Sequence, residues 1–313
     1  MTRNECALWL QEHDNFCILT HARPDGDTIG SATALCGGLR QLGKTAHVLN
    51  NTGASPFLSR CLLGLTVDAP ESTDTLITVD VASPRLLPEE YQPYLARLSL
   101  RIAHHATSVS FTELELVDPT SAATGEMIYE LLRDCGAEMT KDIAWRLYIA
   151  ISTDTGCFRY SNTTAHTYQV AAACAETGVD LYPITQELFD TTSISELKLQ
   201  NWIVEHAQFL CEGTAAVCGI PADMENNVSK EDLEGISGFL RSIEGVRISA
   251  PLRKIEGGCK GAVRAGPGLD AGAICTRCGG GGHKGAGGAN LALPMDSALK
   301  AVAAALKNAL EGV

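Results

Sequence analysis

The chain is predicted to be an α/β protein, with a doubly wound, mostly parallel sheet followed by a smaller α/β domain across a cleft. Strand-like and helix-like patterns alternate through the first half, which is typical of parallel βαβ units. Apolar residues make up 45% of the 313 residues, enough for two cores. A polar stretch at 190–193 precedes a second set of patterns. We therefore expect a first domain at 1–189, a linker at 190–200 and a second domain at 201–313.

The elements of the first domain follow from short apolar runs and helical spacing. Buried strands are expected at 16–20, 48–49, 76–79 and 98–102, and helices at 27–42, 122–134 and 143–151. Gly43 suits the end of the first helix. Ligands of doubly wound sheets bind at the carboxyl ends of the strands. Polar residues directly after these strands are therefore the candidates for function.

The second domain is predicted from a helix at 196–210, strands at 215–220 and 246–250, a glycine-dense run at 279–288 and a helix at 297–310. It also holds the closest cysteine pair, Cys275 and Cys278. A zinc site there would need two more ligands, and His283 is the obvious candidate for one of them. Buried reduced thiols are the simpler interpretation of these and the other cysteines.

Charge and hydropathy exclude several classes of partner. The formal net charge of −13 argues against binding long duplex nucleic acid through a broad basic face. A small anionic substrate remains compatible, because bound divalent cations can supply positive charge locally. The apolar runs fall short of the roughly 20 residues that span a bilayer, and residues 1–10 lack a signal-peptide pattern. We expect a cytoplasmic protein without membrane contact.

The strongest polar cluster follows the first predicted strand and consists of His21, Asp25 and Asp27, then Gly30 and Ser31. One imidazole and two carboxylates on a tight turn suit Mn²⁺ or Mg²⁺ better than thiophilic metals. Gly30 and Ser31 are expected in the first helical turn, where free N–H groups favour a phosphate. An ordinary polar strand-to-helix turn is the alternative.

Four further motifs have simple structural explanations when each is taken alone. Asp80 follows a strand and could cap a helix. His104 and His105 follow another strand and could lie on the surface. Asp154 ends an apolar helix. The run 279–284 could be a flexible turn, although its glycines also let a backbone approach a ligand, and His283 and Lys284 can meet a phosphate.

In order and spacing, these motifs resemble the DHH phosphoesterase superfamily, and within it the two-domain nanoRNase and phosphoadenosine-phosphate phosphatase branch. The resemblance spans nearly the whole chain. The matching segments are His21-x-x-Pro24-Asp25-x-Asp27-x-x-Gly30-Ser31, Val79-Asp80, Ala103-His104-His105, Asp154-Thr155-Gly156-x-Phe158, and the run Gly280 to Gly288 around His283 and Lys284, which resembles the DHH-associated C-terminal domain.

The resemblance implies two divalent cations, with Mn²⁺ preferred over Mg²⁺, and a role for each motif. His21, Asp25 and Asp80 would hold one cation. Asp27, Asp80, His104 and Asp154 would hold the other, with Asp80 shared. An activated water would attack phosphorus, and His105 would contact the scissile phosphate. Substrate contacts are implied for Gly30, Ser31, Arg264, Gly281, Gly282, His283 and Lys284.

The same resemblance implies partners. Short RNA oligonucleotides of two to five residues, linear dinucleotides such as pApA, and 3′-phosphoadenosine 5′-phosphate are the expected substrates. The direction of cleavage stays open. A homodimer is also expected from the family.

One motif departs from the family, because Ala103 stands where the triplet has an Asp. That Asp would orient a histidine, and losing such a partner typically costs about 10–100-fold in metal affinity or activity. Natural divergence and an engineered Asp→Ala change both explain Ala103. Ser108 and Ala265 also depart, standing where the family often has Asn and Ser.

Three functions remain in competition at this point. The first is a metal-dependent exonuclease on short oligonucleotides, with phosphatase activity as a second reaction. The second is a nucleotide-binding sensor that Ala103 has silenced. The third is an inorganic pyrophosphatase of the same superfamily. That branch has a different C-terminal domain, so the glycine-rich loop around His283 argues against this function.

Overall fold

A computed structural model describes residues 1–105, 110–228, 230–282 and 284–312, without the side chains of 230–232 and 234. It divides into two compact units, Met1–Thr191 and Thr192–Val313. Each unit has its own buried apolar clusters. Residues 194–200 of the expected linker form the first half of a helix, because the Ser193 side chain caps it by accepting a hydrogen bond from Glu196 N.

The first unit is built on a six-stranded parallel sheet. Its strands are β1 (Phe16–Leu19), β2 (Ala46–Leu49), β3 (Thr66–Val67), β4 (Thr75–Val79), β5 (Leu98–Ala103) and β6 (Leu114–Val117). The spatial order is β3-β2-β1-β4-β5-β6, and every pairing is parallel. The chain winds outward from β1 in both directions, so the order reverses between β1 and β4. Such a reversal opens the crevice where doubly wound sheets bind ligands, and the predicted fold class is confirmed.

Helices and 3₁₀ turns pack against this sheet. They are α1 (Arg3–Glu12), α2 (Gly26–Gln41), α3 (Pro56–Leu62), α4 (Thr124–Asp134), α5 (Lys141–Asp154), α6 (Ala165–Glu176) and α7 (Tyr182–Thr185), with 3₁₀ turns at Pro84–Leu86 and Glu89–Arg97 and a π turn at Gln186–Asp190. The main core joins α2, α4 and α5 to strand residues such as Ile18, Ile77 and Ile102. Alternate strand residues, including Cys17 and Leu76, lie in a second cluster with Tyr91, as the two-residue period of a strand requires.

The second unit is a mixed six-stranded sheet between two layers of helices. Its elements are α8 (Ile194–His206), β7 (Gln208–Leu210), β8 (Ala215–Ile220), α9 (Ala222–Glu225), α10 (Lys230–Ser242), β9 (Ile248–Ile255), β10 (Gly258–Ala265), α11 (Ala271–Arg277), β11 (Gly281–Gly282), β12 (Ala286–Leu291) and α12 (Met295–Glu311). The strand order is β11-β12-β10-β9-β8-β7. Within the described ranges, no helix combines the length and the apolar character needed to cross a bilayer.

Described residues of the glycine-dense run form two strands of this sheet. Gly281 and Gly282 pair with Gly288 and Gly287 as an antiparallel hairpin. A Cβ at Gly282 would collide with the carbonyl oxygen of Ala286, and its φ of +149° favours glycine. The interpretation of this run as a turn is therefore wrong for Gly281 and Gly282, which lie in a strand.

Candidate metal centre

The polar residues predicted from strand ends converge at the carboxyl edge of the parallel sheet. Their ligand atoms form three groups, each within 4.8 Å: His21, Asp25 and Asp80; Asp27, His104 and Asp154; and Asp80, His104 and His105. β1, β4 and β5 are neighbours in the sheet, which brings together the residues that follow them, and the end of α5 adds Asp154. The groups lie where the strand order reverses.

Asp80 lies at the centre of this cluster. Its Oδ2 accepts a hydrogen bond from Thr28 Oγ1 at 2.7 Å and lies 3.8 Å from His21 Nε2. Its Oδ1 accepts from Thr124 Oγ1 at 2.8 Å and lies 3.2 Å from His105 Nε2. The backbone at Asp80 has a φ of +61°, a region that non-glycine residues rarely adopt and that is frequent at functional sites. One carboxylate thus faces two groups of ligands.

Asp27 is fixed by the beginning of α4. Its side chain is buried, and its two oxygens accept hydrogen bonds from Thr124 N at 2.7 Å and Gly125 N at 2.9 Å. Ser31 Oγ donates a third at 2.9 Å. The first N–H groups of a helix have no partner within it and favour an anion. Asp27 satisfies two of them, and its orientation is thereby set.

His104 has a ring orientation that prepares it as a ligand. Its Nδ1 lies 3.1 Å from the carbonyl oxygen of Ser121, which can only accept, so Nδ1 carries the proton. Nε2 then holds the lone pair when the ring is neutral. Nε2 is buried and has no hydrogen-bond partner among the described residues. Its neighbours are oxygens of Asp154 at 3.3 Å, Asp27 at 3.8 Å and Asp80 at 3.9 Å.

The carboxylates repel one another in the absence of a cation. Burial, together with the charges of Asp25 and Asp80, raises the pKa of Asp154 to about 8. Burial and the charges of Asp80 and Asp154 also raise the pKa of Asp27 well above its usual range. Asp80 behaves differently: burial opposes ionisation, but the hydrogen bond from His105 and the nearby histidines lower its pKa to about 2.

Histidine pKa values follow the same environment. Burial lowers the pKa of His104, which favours the neutral ring that can coordinate a metal. For His105, burial is outweighed by the hydrogen bond to Asp80 and by the surrounding carboxylates, so its pKa is raised.

These observations fit a bound divalent cation. The buried Nε2 of His104 has no hydrogen-bond partner among the described residues and is surrounded by carboxyl oxygens, an arrangement that a bound cation would complete. Four carboxylates, those of Asp25, Asp27, Asp80 and Asp154, carry the charge that two divalent ions would neutralise. Oxygen ligands with one or two imidazoles suit Mn²⁺ or Mg²⁺.

Ala103 is fully buried at the end of β5. Its backbone oxygen accepts a hydrogen bond from Asp118 N at 3.2 Å. Since the Ser121 carbonyl orients His104, that ring is held without a carboxylate at position 103. Two other residues of the predicted motifs, Ser108 and His283, lie outside the described residues.

The structure corrects the expectation for Gly30 and Ser31. α2 begins at Gly26, so both residues lie beyond its first turn, and both are buried. A Cβ at Gly30 would lie 2.5 Å from Arg146 O and 2.9 Å from Ala150 N, so this glycine allows α2 to pack against α5. Ser31 binds Asp27 instead of facing outward. Asp25 is the N-cap, since its side chain accepts from Thr28 N.

Several positioning residues were missed from the sequence. Thr28, Ser121, Thr124 and Gly125 all contact the predicted ligands. Arg101 was also missed: this buried residue of β5 donates to Ala82 O at 3.3 Å and pairs with Glu115 at 3.2 Å, joining β5 to the segment after β4 and to β6. A polar residue two positions before a strand end was the available signal for Arg101.

The second unit holds the remaining predicted residues. Arg264 is half-buried on β10, paired in register with Ser249 and Ala286. Gly281 and Gly282 form the hairpin strand β11, and Lys284 is exposed just beyond it. Lys284 O accepts from Ala271 N at 2.8 Å, which ties the hairpin to α11.

Comparison with known proteins agrees with this division. The DHH family N-terminal domain matches residues 15–151, and the DHHA1 domain matches residues 212–311. A bifunctional oligoribonuclease and PAP phosphatase, NrnA, from Thermus thermophilus is 34% identical over 300 residues, covering 94% of this chain and 89% of the relative. NrnA from Bacillus subtilis is 25% identical over 250 residues, covering 78% and 79%.

Solved structures share the fold. An exopolyphosphatase-related protein from Bacteroides fragilis matches with a TM-score of 0.84 at 22% identity, covering 98% of this chain and 95% of that one. The exonuclease RecJ bound to manganese matches with a TM-score of 0.54 at 15% identity, covering 100% and 97%.

The fold, the site and these relatives define a class of enzyme, the two-domain hydrolases of phosphoester bonds. Within that class, the chain belongs to the DHH family, in the branch that carries a DHHA1 domain.

Proposed function

We propose that the chain is a metal-dependent phosphodiesterase that hydrolyses oligonucleotides of two to five residues, including pApA, to mononucleotides. The observation that carries the proposal is the buried, unpartnered Nε2 of His104, which faces three carboxylates at the sheet's switch point. The names of the two NrnA relatives support the substrate class. Phosphatase activity on 3′-phosphoadenosine 5′-phosphate is proposed as a second reaction on the same support.

The three groups of ligand atoms support a ligand assignment, with Asp80 in two of them. We propose two cations, with Mn²⁺ preferred, one held by His21, Asp25 and Asp80 and the other by Asp27, Asp80, His104 and Asp154. Bound there, they would supply a nucleophile at neutral pH and neutralise charge on phosphoryl oxygens. Asp80 is shared by both cation sites. The Ser121 carbonyl holds His104, and the first N–H groups of α4 hold Asp27. His105 contacts the scissile phosphate and passes a proton to the leaving oxygen.

For the second unit, the proposal rests on the family resemblance. Arg264, Gly281, Gly282, His283 and Lys284 would bind a terminal phosphate of the substrate, with Arg264 providing paired N–H donors. The homodimer and the cytoplasmic location stay predictions.

Ala103 favours a second candidate, a nucleotide-binding sensor without catalysis. The missing carboxylate would remove one support of the histidine pair, and the remaining ligands would still hold metal and phosphate. The Ser121 carbonyl weighs against this candidate, because it holds His104 in a ligating orientation.

The test is hydrolysis of pApA and of 3′-phosphoadenosine 5′-phosphate with Mn²⁺, comparing the chain with its Ala103→Asp variant by chromatography of the products. We expect AMP from pApA in both cases, with a rate about 10–100-fold higher for the Asp variant. If both proteins bind nucleotide without hydrolysing it, the enzyme hypothesis is wrong and the sensor hypothesis takes its place.

A further inference from the structure

The turn after Asp154 carries an exposed pair, Arg159 and Tyr160, that has no role in the chemistry above. Tyr160 is 56% exposed, and Arg159 is exposed as well. They lie five and six positions after Asp154, a proposed metal ligand at the end of α5. An aromatic ring can stack on a base and a guanidinium can bind a phosphate, so the pair offers both groups that a nucleotide would use.

Hydrogen bonds fix this turn to the metal centre. Arg159 N and Tyr160 N both donate to Thr155 O at 3.0 Å. Asn162 Nδ2 donates to Asp154 O at 3.1 Å and to Ala122 O at 3.0 Å. The pair therefore has a defined position relative to Asp154, and binding would not need to order a loose loop.

The Tyr160 ring is supported on one side. It lies against Gly156, where any Cβ would collide with the ring, and Gly156 has a φ of +56°. A glycine is required here both for the turn and for the approach of the ring. A ring that rests on a backbone and is otherwise 56% exposed can accept a flat partner.

Arg159 is also oriented by the turn. Its Nε donates to Gly156 O at 2.6 Å, so Tyr160 and Arg159 contact the same glycine from their side chains. The neighbouring Phe158 takes the opposite course, since its ring stacks on Tyr168 at 5.5 Å and packs on the core. The turn thus packs the Phe158 ring against the core and leaves the Tyr160 ring exposed, with Arg159 next to it in the sequence.

We propose that Tyr160 stacks on a base of the bound nucleotide and that Arg159 contacts a phosphate of the same nucleotide. The stack does not read base edges, so it accepts different bases and adds affinity for nucleotides over other phosphoesters. The proposal rests on the proposed function for the nature of the ligand, a nucleotide.

The test measures binding instead of turnover, so that it is separate from the hydrolysis of pApA. AMP and ribose 5-phosphate, which lacks the base, are titrated calorimetrically into the Mn²⁺-loaded full chain and into Tyr160→Ala, Tyr160→Phe and Tyr168→Ala. Tyr168 is the matched control, because it is equally exposed at 56%.

We expect Tyr160→Ala to lower the affinity for AMP about tenfold and to leave the affinity for ribose 5-phosphate unchanged. Tyr160→Phe and Tyr168→Ala should bind both ligands with the affinity of the parent. Arg159→Ala should lower the affinity for both ligands. Equal AMP affinity in the parent and Tyr160→Ala, an equal loss for both ligands, or no AMP binding to the parent would overturn the proposal. Failure of pApA hydrolysis alone would overturn only the proposed reaction.

Discussion

A single backbone carbonyl decides what His104 can do. Ser121 O accepts a hydrogen bond from the protonated Nδ1 of His104. The lone pair on Nε2 therefore points at Asp27, Asp80 and Asp154. The same logic applies to Asp27, whose oxygens are held by the N–H groups of α4. At the scale of residues, the site is made by contacts that leave the ligand atoms little freedom.

Ser31 allows a direct check of this positioning. Ser31→Ala removes one of the three hydrogen bonds to Asp27, so we expect Mn²⁺ affinity to fall about tenfold or more, measured by calorimetric titration. Thr33→Ala is the matched control, since Thr33 lies in the same helix and donates only to backbone oxygens of its own turn. If both variants bind Mn²⁺ like the parent, Ser31 has no positioning role.

Asp154 gives a pH signature of the metal-free protein. Its pKa of about 8 lies above the unfolded value near 3.8, so the folded state binds this proton more tightly. Stability from this group is therefore present at low pH and lost as pH rises from about 4 to about 8. In EDTA, we expect the melting temperature to fall more between pH 5 and pH 8 for the parent than for Asp154→Asn. An equal fall in melting temperature for both proteins would contradict the raised pKa of Asp154.

At the scale of elements, strand ends were readable from the sequence and glycine-rich strands were not. Short apolar runs predicted β1, β4 and β5, and the residues that follow them formed the site. β10 and β12 were missed, because glycine and alanine give them no alternation of apolar and polar side chains. Gly30 was assigned to the wrong turn of α2, since the cap is Asp25. Ser121 acts through its backbone, which no side-chain pattern can reveal.

The hairpin of β11 and β12 tests the close approach of glycines. A Cβ at Gly280 would collide with Gly288 O and Ala289 Cα, whereas a Cβ at Gly281 meets nothing within 4 Å. We expect Gly280→Ala to lower the free energy of unfolding by about 1–3 kcal/mol and Gly281→Ala to change it by less than about 0.5 kcal/mol. Urea unfolding followed by circular dichroism measures both, and similar losses would refute the assigned packing.

At the scale of the whole molecule, one topological feature brings the site together. The strand order reverses between β1 and β4, and the ligands follow the strands on either side, except Asp154, which ends α5. Residue patterns predicted the ligand types, while only the order of the strands explains why His21 and Asp80 meet. The second unit has its own core, and its part in binding substrate remains a proposal.

The most direct measurement of the central claim is the rate at which the full chain converts pApA to AMP with Mn²⁺, with EDTA, and after Asp80→Asn. Asp80 belongs to two of the three groups of ligand atoms, so the account predicts Mn²⁺-dependent turnover that EDTA and Asp80→Asn reduce below detection. Turnover that persists in EDTA or in Asp80→Asn would contradict a metal centre built on Asp80.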